Sequence, residues 1–439
     1  MKGQLLRLPC HNDEMKQVLI IAHLNPAFGS FRPIPLARYL PEFGWEPIIL
    51  TPSNYDKPKS PFPFRVIETP YSDVKAVSLI KKLLKLNTAD NIGSEIRTRI
   101  GITNKNSLFD PFLRLGSEIL AYPDFCKRWL PFALKSSEEL LRTEKIEAII
   151  SSSNPLTSSL VTSKLKARYA TPWLADLCDL WSQNHDYHYS PLRKILDKRM
   201  ELKTLARADA LVTVSTPWAE KLRTLHKGKQ VHVVTHGFAP EEVNIPPVSL
   251  TSKFTITYTG TIYTRNQTPI RLLDALKQLI DSNIIDAADI EVRFYGTNVT
   301  WLDEEIRQRG LHHVVKNYNR IPKNLATQRQ RESQVLLLLK WEDEKERGWH
   351  SGKIFDYLAA RRPILATGGN YDVVSELLTE TSAGIDATSD ADIRSALIKL
   401  YQEYKITGAL AYTGNEEAIN RYSHREMARK FAEIMDNLI

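Results

Sequence analysis

The chain is poor in cysteine and has no long apolar run. Its three cysteines, Cys10, Cys126 and Cys178, are scattered through 439 residues. They show neither the pairing of a disulfide framework nor metal-ligand spacing, which fits a reducing compartment. No apolar run approaches the roughly 18–20 residues that span a bilayer. The longest compact one, Val335-Leu336-Leu337-Leu338-Leu339, reads as a buried strand. The opening residues Met1-Lys2-Gly3-Gln4-Leu5-Leu6-Arg7-Leu8-Pro9 lack an apolar stretch of secretory length, so a cytoplasmic location is expected. There is no Lys/Arg stripe interleaved with aromatics and no recognition module, so nucleic acid is not expected as a partner.

What is present is a folded globular composition, 42% hydrophobic and 25% charged. The length suits two or three domains. The formal charge of +8 favours anionic ligands, such as nucleotides, lipid phosphates or an acidic membrane face.

Strands are expected at 17–22, 45–50, 65–68, 148–151, 173–176, 210–215 and 231–234. Helices are expected at 35–43, 131–144, 156–168 and 191–206. Strand, loop, helix, Gly44, strand is the βαβ order of a parallel sheet. The proline-rich stretch 240–252 reads as a linker. A second α/β unit then starts at 254–260, with a helix near 268–282 and strands at 290–295, 314–318, 334–339, 363–367 and 384–385. A last helix is expected over 417–438. The expected domains are 1–240 and 253–415, with 416–439 as a helix that could pack back on the first.

The most informative segment is His350-Ser351-Gly352-Lys353-Ile354-Phe355-Asp356-Tyr357, followed by Leu358-Ala359-Ala360-Arg361-Arg362-Pro363-Ile364-Leu365-Ala366-Thr367-Gly368-Gly369. It reads as loop, short helix and strand. Gly352 would let the helix start approach a ligand or another backbone. Lys353 and Asp356 share one helical face. Helix-start amides attract anions and a lysine there reinforces them. An acid one turn on can accept hydrogen bonds from sugar hydroxyls. The alternative is a surface helix with an ordinary Lys–Asp pair.

Several motifs stand in order. They are Gly29-Ser30-Phe31-Arg32, Leu36-Ala37-Arg38-Tyr39-Leu40, Gly44-Trp45-Glu46-Pro47, Ser151-Ser152-Ser153-Asn154-Pro155, Asp176-Leu177-Cys178-Asp179 and Tyr258-Thr259-Gly260-Thr261, ahead of the Lys353 segment. Together they resemble family 4 of the glycosyltransferases over nearly the whole chain. The resemblance implies an α/β fold of two Rossmann-like parallel-sheet domains facing each other across a cleft (GT-B). It also implies a retaining, metal-independent transfer of sugar from a nucleotide-diphosphate donor, which is a substrate and not a cofactor. The acceptor would be a saccharide or a lipid-linked molecule, in polysaccharide or glycolipid synthesis. Rival readings are a nucleotide-sugar epimerase on the same fold and a non-catalytic nucleotide-sugar-binding scaffold.

Family members often place two glutamates eight positions apart at this site. Here the second is Asp356 and the first position is Gly348. The resemblance makes Lys353, with the Ser351 and Gly352 amides, the main diphosphate contact, and Arg265 a second one in the loop after Gly260 and Thr261. Arg265 could equally be a plain loop arginine. Asp356 would take the ribose hydroxyls. Gly29 and Ser30 would bring amides to a phosphate or acceptor, unless they form an ordinary turn. Asp176 would orient an acceptor or donor hydroxyl, or else cap a helix or pair with Arg193 or Lys194; His185 and His188 follow in an aromatic loop. Tyr295, Tyr318 and Arg320 end strands that would flank the base. The basic segment 74–86 reads as an amphipathic helix that would touch an anionic membrane or pack on the sheet.

Overall fold

The computed structural model describes residues 15–24, 32–53, 62–71, 118, 122–184, 189–243, 246, 248–262, 267–296, 299–342 and 348–439. Gly29, Ser30, His185, His188, Arg265 and segment 74–86 lie outside the described residues.

The first sheet uses β1 (Lys16–Ile21), β2 (Trp45–Pro52), β3 (Arg65–Thr69), β4 (Ile146–Ser153), β5 (Trp173–Leu177), β6 (Ala210–Thr213) and β7 (Gln230–Val233). The helices of this stretch are α1 (Pro33–Tyr39), α2 (Leu130–Thr143), α3 (Thr157–Lys166), α4 (Pro191–Leu205) and α5 (Thr216–Leu225). The second sheet uses β8 (Phe254–Thr259), β9 (Ile290–Tyr295), β10 (Val315–Tyr318), β11 (Val335–Leu339), β12 (Ile364–Thr367) and β13 (Gly384–Ala387). Its helices are α6 (Ile270–Asp281), α7 (Thr300–Gln308), α8 (Lys323–Arg331), α9 (Gly352–Ala360), α10 (Val373–Thr381) and α11 (Asp390–Thr407), with α12 (Glu416–Asn420) and α13 (His424–Asp436) after them.

The strand orders are β3-β2-β1-β4-β5-β6-β7 and β10-β9-β8-β11-β12-β13. Neighbours from β3 through β5 pair in parallel in the first sheet, and all neighbours do so in the second. Renumbered within its own unit, each sheet shows the 3-2-1-4-5-6 order of a doubly wound nucleotide-binding unit, the first with one strand more. The fold is therefore two Rossmann-like parallel-sheet domains, as the sequence leads one to expect. The first compact unit comprises the described residues up to Val212 with Gly228–Gln230 and Ala428–Ile439; the second comprises Thr213–Lys227 and Val231–Met427.

The apolar run of β11 follows from burial on two faces. Val335, Leu337 and Leu339 enter one core with Phe254, Ile256 and Tyr258 of β8, while Leu336 and Leu338 enter another with Ile354, Phe355 and Leu358 of α9. The other face of β8 is buried but polar. Ser333 Oγ donates to Thr257 Oγ1 at 2.6 Å and Gln330 Nε2 to Thr259 Oγ1 at 2.7 Å.

Two expected helices differ. The one at 35–43 is α1 followed by a 3₁₀ turn over Leu40–Phe43, closed by Gly44 at φ +80°. The one at 417–438 is two helices. The Phe238 N–H donates to Tyr422 O at 3.1 Å and the His424 N–H to Phe238 O at 2.8 Å, which interrupts the helical ladder at 421–423. Ser423 Oγ then accepts from the Glu426 N–H at 3.2 Å and restarts the chain as α13. Within the first unit Asp436 of α13 receives Lys16 Nζ at 2.8 Å and Trp45 Nε1 at 3.1 Å, and the Arg32 guanidinium lies 5.1 Å from the Phe431 ring.

Candidate functional site

In a doubly wound sheet the ligand crevice opens where strand order reverses, at the carboxyl ends of the two central strands. In the second sheet these are β8 and β11. Their register runs Val335↔Ile256 and Leu336↔Thr257. Beyond it side chains take over the backbone groups. The Thr259 N–H donates to Tyr357 Oη at 3.1 Å, and Gln267 Nε2 donates to Leu339 O at 3.0 Å. Burial pushes the Tyr357 hydroxyl up to about 12, so it stays a neutral partner.

Helix α9 begins at this opening. Ser351 is its N-cap in extended conformation, with its hydroxyl making no cap bond. The Ile354 N–H donates back to Ser351 O at 3.1 Å, so Gly352 and Lys353 form the first turn of the helix. The Lys353 side chain crosses to β8. Its ammonium is 5.5 Å from the centre of the Tyr258 ring, and its aliphatic stem fills the space beside Gly260. Gly260 has φ +121°, and a Cβ there would overlap Lys353 Cε. The glycine is thus required by conformation and by the lysine together. Gly352 has no described atom within 4 Å of its missing Cβ, so no neighbouring backbone demands it.

Burial holds the Lys353 ammonium down to about 8, partly offset by Asp356. Burial raises the Asp356 carboxyl to about 6; Lys323 opposes the shift and Glu242 reinforces it. Both side chains are only partly covered.

Of the other expected residues, Thr261 accepts from Tyr258 Oη at 2.9 Å and so braces the turn after Gly260. Tyr295 and Tyr318 stack at 4.7 Å with their planes 9° apart, at the ends of β9 and β10. Arg320 is exposed two residues beyond β10. Position 348 is closed to any side chain: a Cβ would lie 2.5 Å from Trp218 Nε1 and 3.1 Å from Ser215 Oγ. Gly348 is therefore what the Trp218 indole permits.

Sequence reasoning missed Tyr357, Gln267, Gln330, Trp218 and Lys340. Lys340 follows the leucine run of β11 and is buried. Its ammonium donates to Asn370 O at 2.7 Å, Ser375 Oγ at 2.9 Å and Asp386 Oδ1 at 2.9 Å, with Asp372 3.3 Å away. Asp372 in turn caps α10. A lysine directly continuing an apolar strand, with no polar spacer, was the available signal. A small cavity at this end of β11 is lined by Lys340, Trp341, Trp349, Ser351, Asp372 and Val374. Beside it His350 is buried; burial holds its imidazole down to about 4, and Nδ1 has no hydrogen-bond partner.

In the first unit Asp176 is buried at the end of β5. Its carboxylate is 3.3 Å from Arg32 Nε, each side chain 1% exposed, and Ser152 Oγ donates to it at 3.3 Å. The ion pair is with Arg32, while Arg193 pairs with Asp197 at 2.8 Å. Burial pushes the Asp176 carboxyl up, against the pull of Arg32. Asn154 Nδ2 donates to Asp179 at 2.9 Å. Among the described residues no three His, Cys, Asp or Glu side chains gather as a metal site requires, and no helix is long and apolar enough to cross a membrane.

No family model matches the chain, and no curated protein matches it by sequence. Solved structures do. Sucrose-phosphate synthase from Thermosynechococcus elongatus is 13% identical at a TM-score of 0.59, over 96% of this chain and 99% of that one. A glycosyltransferase from Rickettsia africae is 14% identical at 0.58, over 98% and 99%. Anabaena HepE, solved in complex with UDP, is 12% identical at 0.59, over 97% and 100%. The likeness spans nearly the full length of each and is one of fold, two Rossmann-like parallel-sheet domains.

Proposed function

We propose that the chain is a glycosyltransferase that takes its sugar from a nucleotide-diphosphate donor. The observation that carries the reading is Lys353, set in the first turn of α9 and packed against Gly260 at the strand-order reversal of the second sheet. As the bond between sugar and diphosphate breaks, negative charge grows on the departing phosphate. A fixed ammonium and helix-start amides stabilise that charge more in the transition state than in the ground state. A protein cation there supplies the role a divalent ion would otherwise play, so transfer is metal-independent. Asp356, one turn on, accepts hydrogen bonds from the ribose hydroxyls. Stacked Tyr295 and Tyr318 offer an aromatic face for the base, with Arg320 beside it.

The resemblance to family 4 extends the proposal to retention of anomeric configuration, and to a saccharide or lipid-linked acceptor in surface polysaccharide or glycolipid synthesis. The UDP in the Anabaena structure makes uridine donors the first to try. The test is thermal stabilisation by a panel of nucleoside diphosphates and their sugars, with and without EDTA, followed by donor consumption with candidate acceptors. Stabilisation by one nucleotide that survives EDTA and vanishes in Lys353→Ala supports the reading. Equal stabilisation of wild type and variant contradicts it. Donor turnover that needs no acceptor would indicate epimerisation instead.

A further inference from the structure

Helix α4 is turned inside out. Its inward face carries Arg193, Asp197, Glu201 and Thr204, all buried. Arg193 and Glu201 find partners within the first unit, and Asp197 pairs with Arg193 through one carboxylate oxygen. Arg193 pairs with Asp197, donates to Glu118 O at 2.7 Å and Pro123 O at 2.6 Å, and lies between the rings of Tyr122 and Tyr189 at 4.6 and 4.7 Å. Glu201 accepts from the Ser182 N–H at 2.9 Å and from the Ser182 hydroxyl.

The outward face is apolar. Leu192 is 61% exposed, Ile195 51%, Leu196 39% and Leu202 37%. At 3.6 residues per turn these four fall within an arc of about 120°. Arg199 and Lys203 lie in the same arc and Lys198 borders it, all exposed; Lys194 is exposed near the helix start but projects toward the other side of the helix. Both acids of the helix, Asp197 and Glu201, face inward, so every exposed α4 side chain is apolar or cationic. An ordinary surface helix has the opposite arrangement, with the apolar stripe toward the core. Charge complementarity selects the occupant. A second copy of the same face would set cation against cation. An anionic bilayer instead offers hydrocarbon to the leucines and phosphates to the lysines, whose stems can lie along the apolar stripe.

We propose that α4 is a membrane-docking face, lying in the headgroup layer of an anionic bilayer with Leu192, Ile195, Leu196 and Leu202 toward the acyl chains and Lys198, Arg199 and Lys203 on lipid phosphates. This goes beyond sugar transfer and does not depend on it, because the readout is binding alone.

The test is co-sedimentation of the full chain with vesicles of phosphatidylcholine, with and without phosphatidylglycerol, at rising salt. Wild type is expected to bind the anionic vesicles, to release in salt and to ignore the zwitterionic ones. Two double variants, Ile195→Glu/Leu196→Glu and Lys198→Glu/Arg199→Glu, should each weaken binding by at least about tenfold. Their outward positions predict an unchanged melting temperature, and the charge pair leaves the apolar residues in place should the first variant fold poorly. No binding by wild type, or binding that both variants retain, overturns the proposal. So does a wild-type dimer that Ile195→Glu/Leu196→Glu dissolves, which would give the face to a second copy.

Discussion

The two sheets share a strand order, yet the polar groups near the carboxyl ends of their strands are used in opposite ways. In the first unit Arg32 and Asp176 are sealed together at 1% exposure each. In the second unit Lys353 is only partly covered, in the first turn of α9 beside a glycine that makes room for it. One set of charges is paired and enclosed. On the proposed reading the other meets an anion. The two ends share a topology and differ in how far their charges are closed off.

The sharpest way to break this comparison is in the first unit. Arg32→Ala leaves the Asp176 carboxylate buried without its cation and should cost about 3–5 kcal/mol of stability in urea denaturation. Next comes Lys353→Ala, which should weaken nucleoside diphosphate binding by about a hundredfold in calorimetry, or roughly 2.7 kcal/mol, while leaving stability unchanged or raised. If Arg32→Ala proved mild and Lys353→Ala unfolded the chain, the roles would be reversed. Gly260→Ala should cost about 1–3 kcal/mol through its positive φ and should weaken nucleotide binding as well, because it displaces Lys353. Gly348→Ala should be destabilising by a similar amount, and Trp218→Ala should relieve the clash that it introduces. Tyr357→Phe acts through a single hydrogen bond. It removes the acceptor of the Thr259 N–H and should cost about 1–3 kcal/mol at most, with a lower nucleotide affinity reporting a disturbed β8 end.

Much of this was legible in sequence. The β11 run and the glycine-ended helix before β2 announce parallel sheets, because strands buried on both faces need continuous apolar side chains. The α9 segment is legible because capping and helical spacing are local properties. What escaped depends on residues far apart in the chain. The break between α12 and α13 is set by Phe238, nearly two hundred positions away. Gly348 is glycine because of Trp218. Lys340 looks like a surface residue after a strand until Asp372, Ser375 and Asp386 are brought around it. Helix α4 was evident as a helix, but its facing was not, since Arg193 and Asp197 are drawn inward by partners on other segments. Asp176 was legible as a notable acid, but its partner Arg32 was not.

The central claim is that the Lys353 ammonium receives a diphosphate, and protons counted on binding test it directly. Burial holds Lys353 down to about 8, below its ordinary value of 10.5, so it loses its proton as pH passes 8. A bound anion favours the charged form and raises that value. Binding should therefore take up protons near pH 8, and affinity should fall as pH rises above it. Calorimetry of the tightest nucleoside diphosphate in buffers of different ionisation enthalpy measures the uptake. The account predicts net uptake in wild type and none in Lys353→Arg, whose guanidinium stays charged throughout. Tight binding without proton uptake in wild type, or the same uptake in Lys353→Arg, would contradict it.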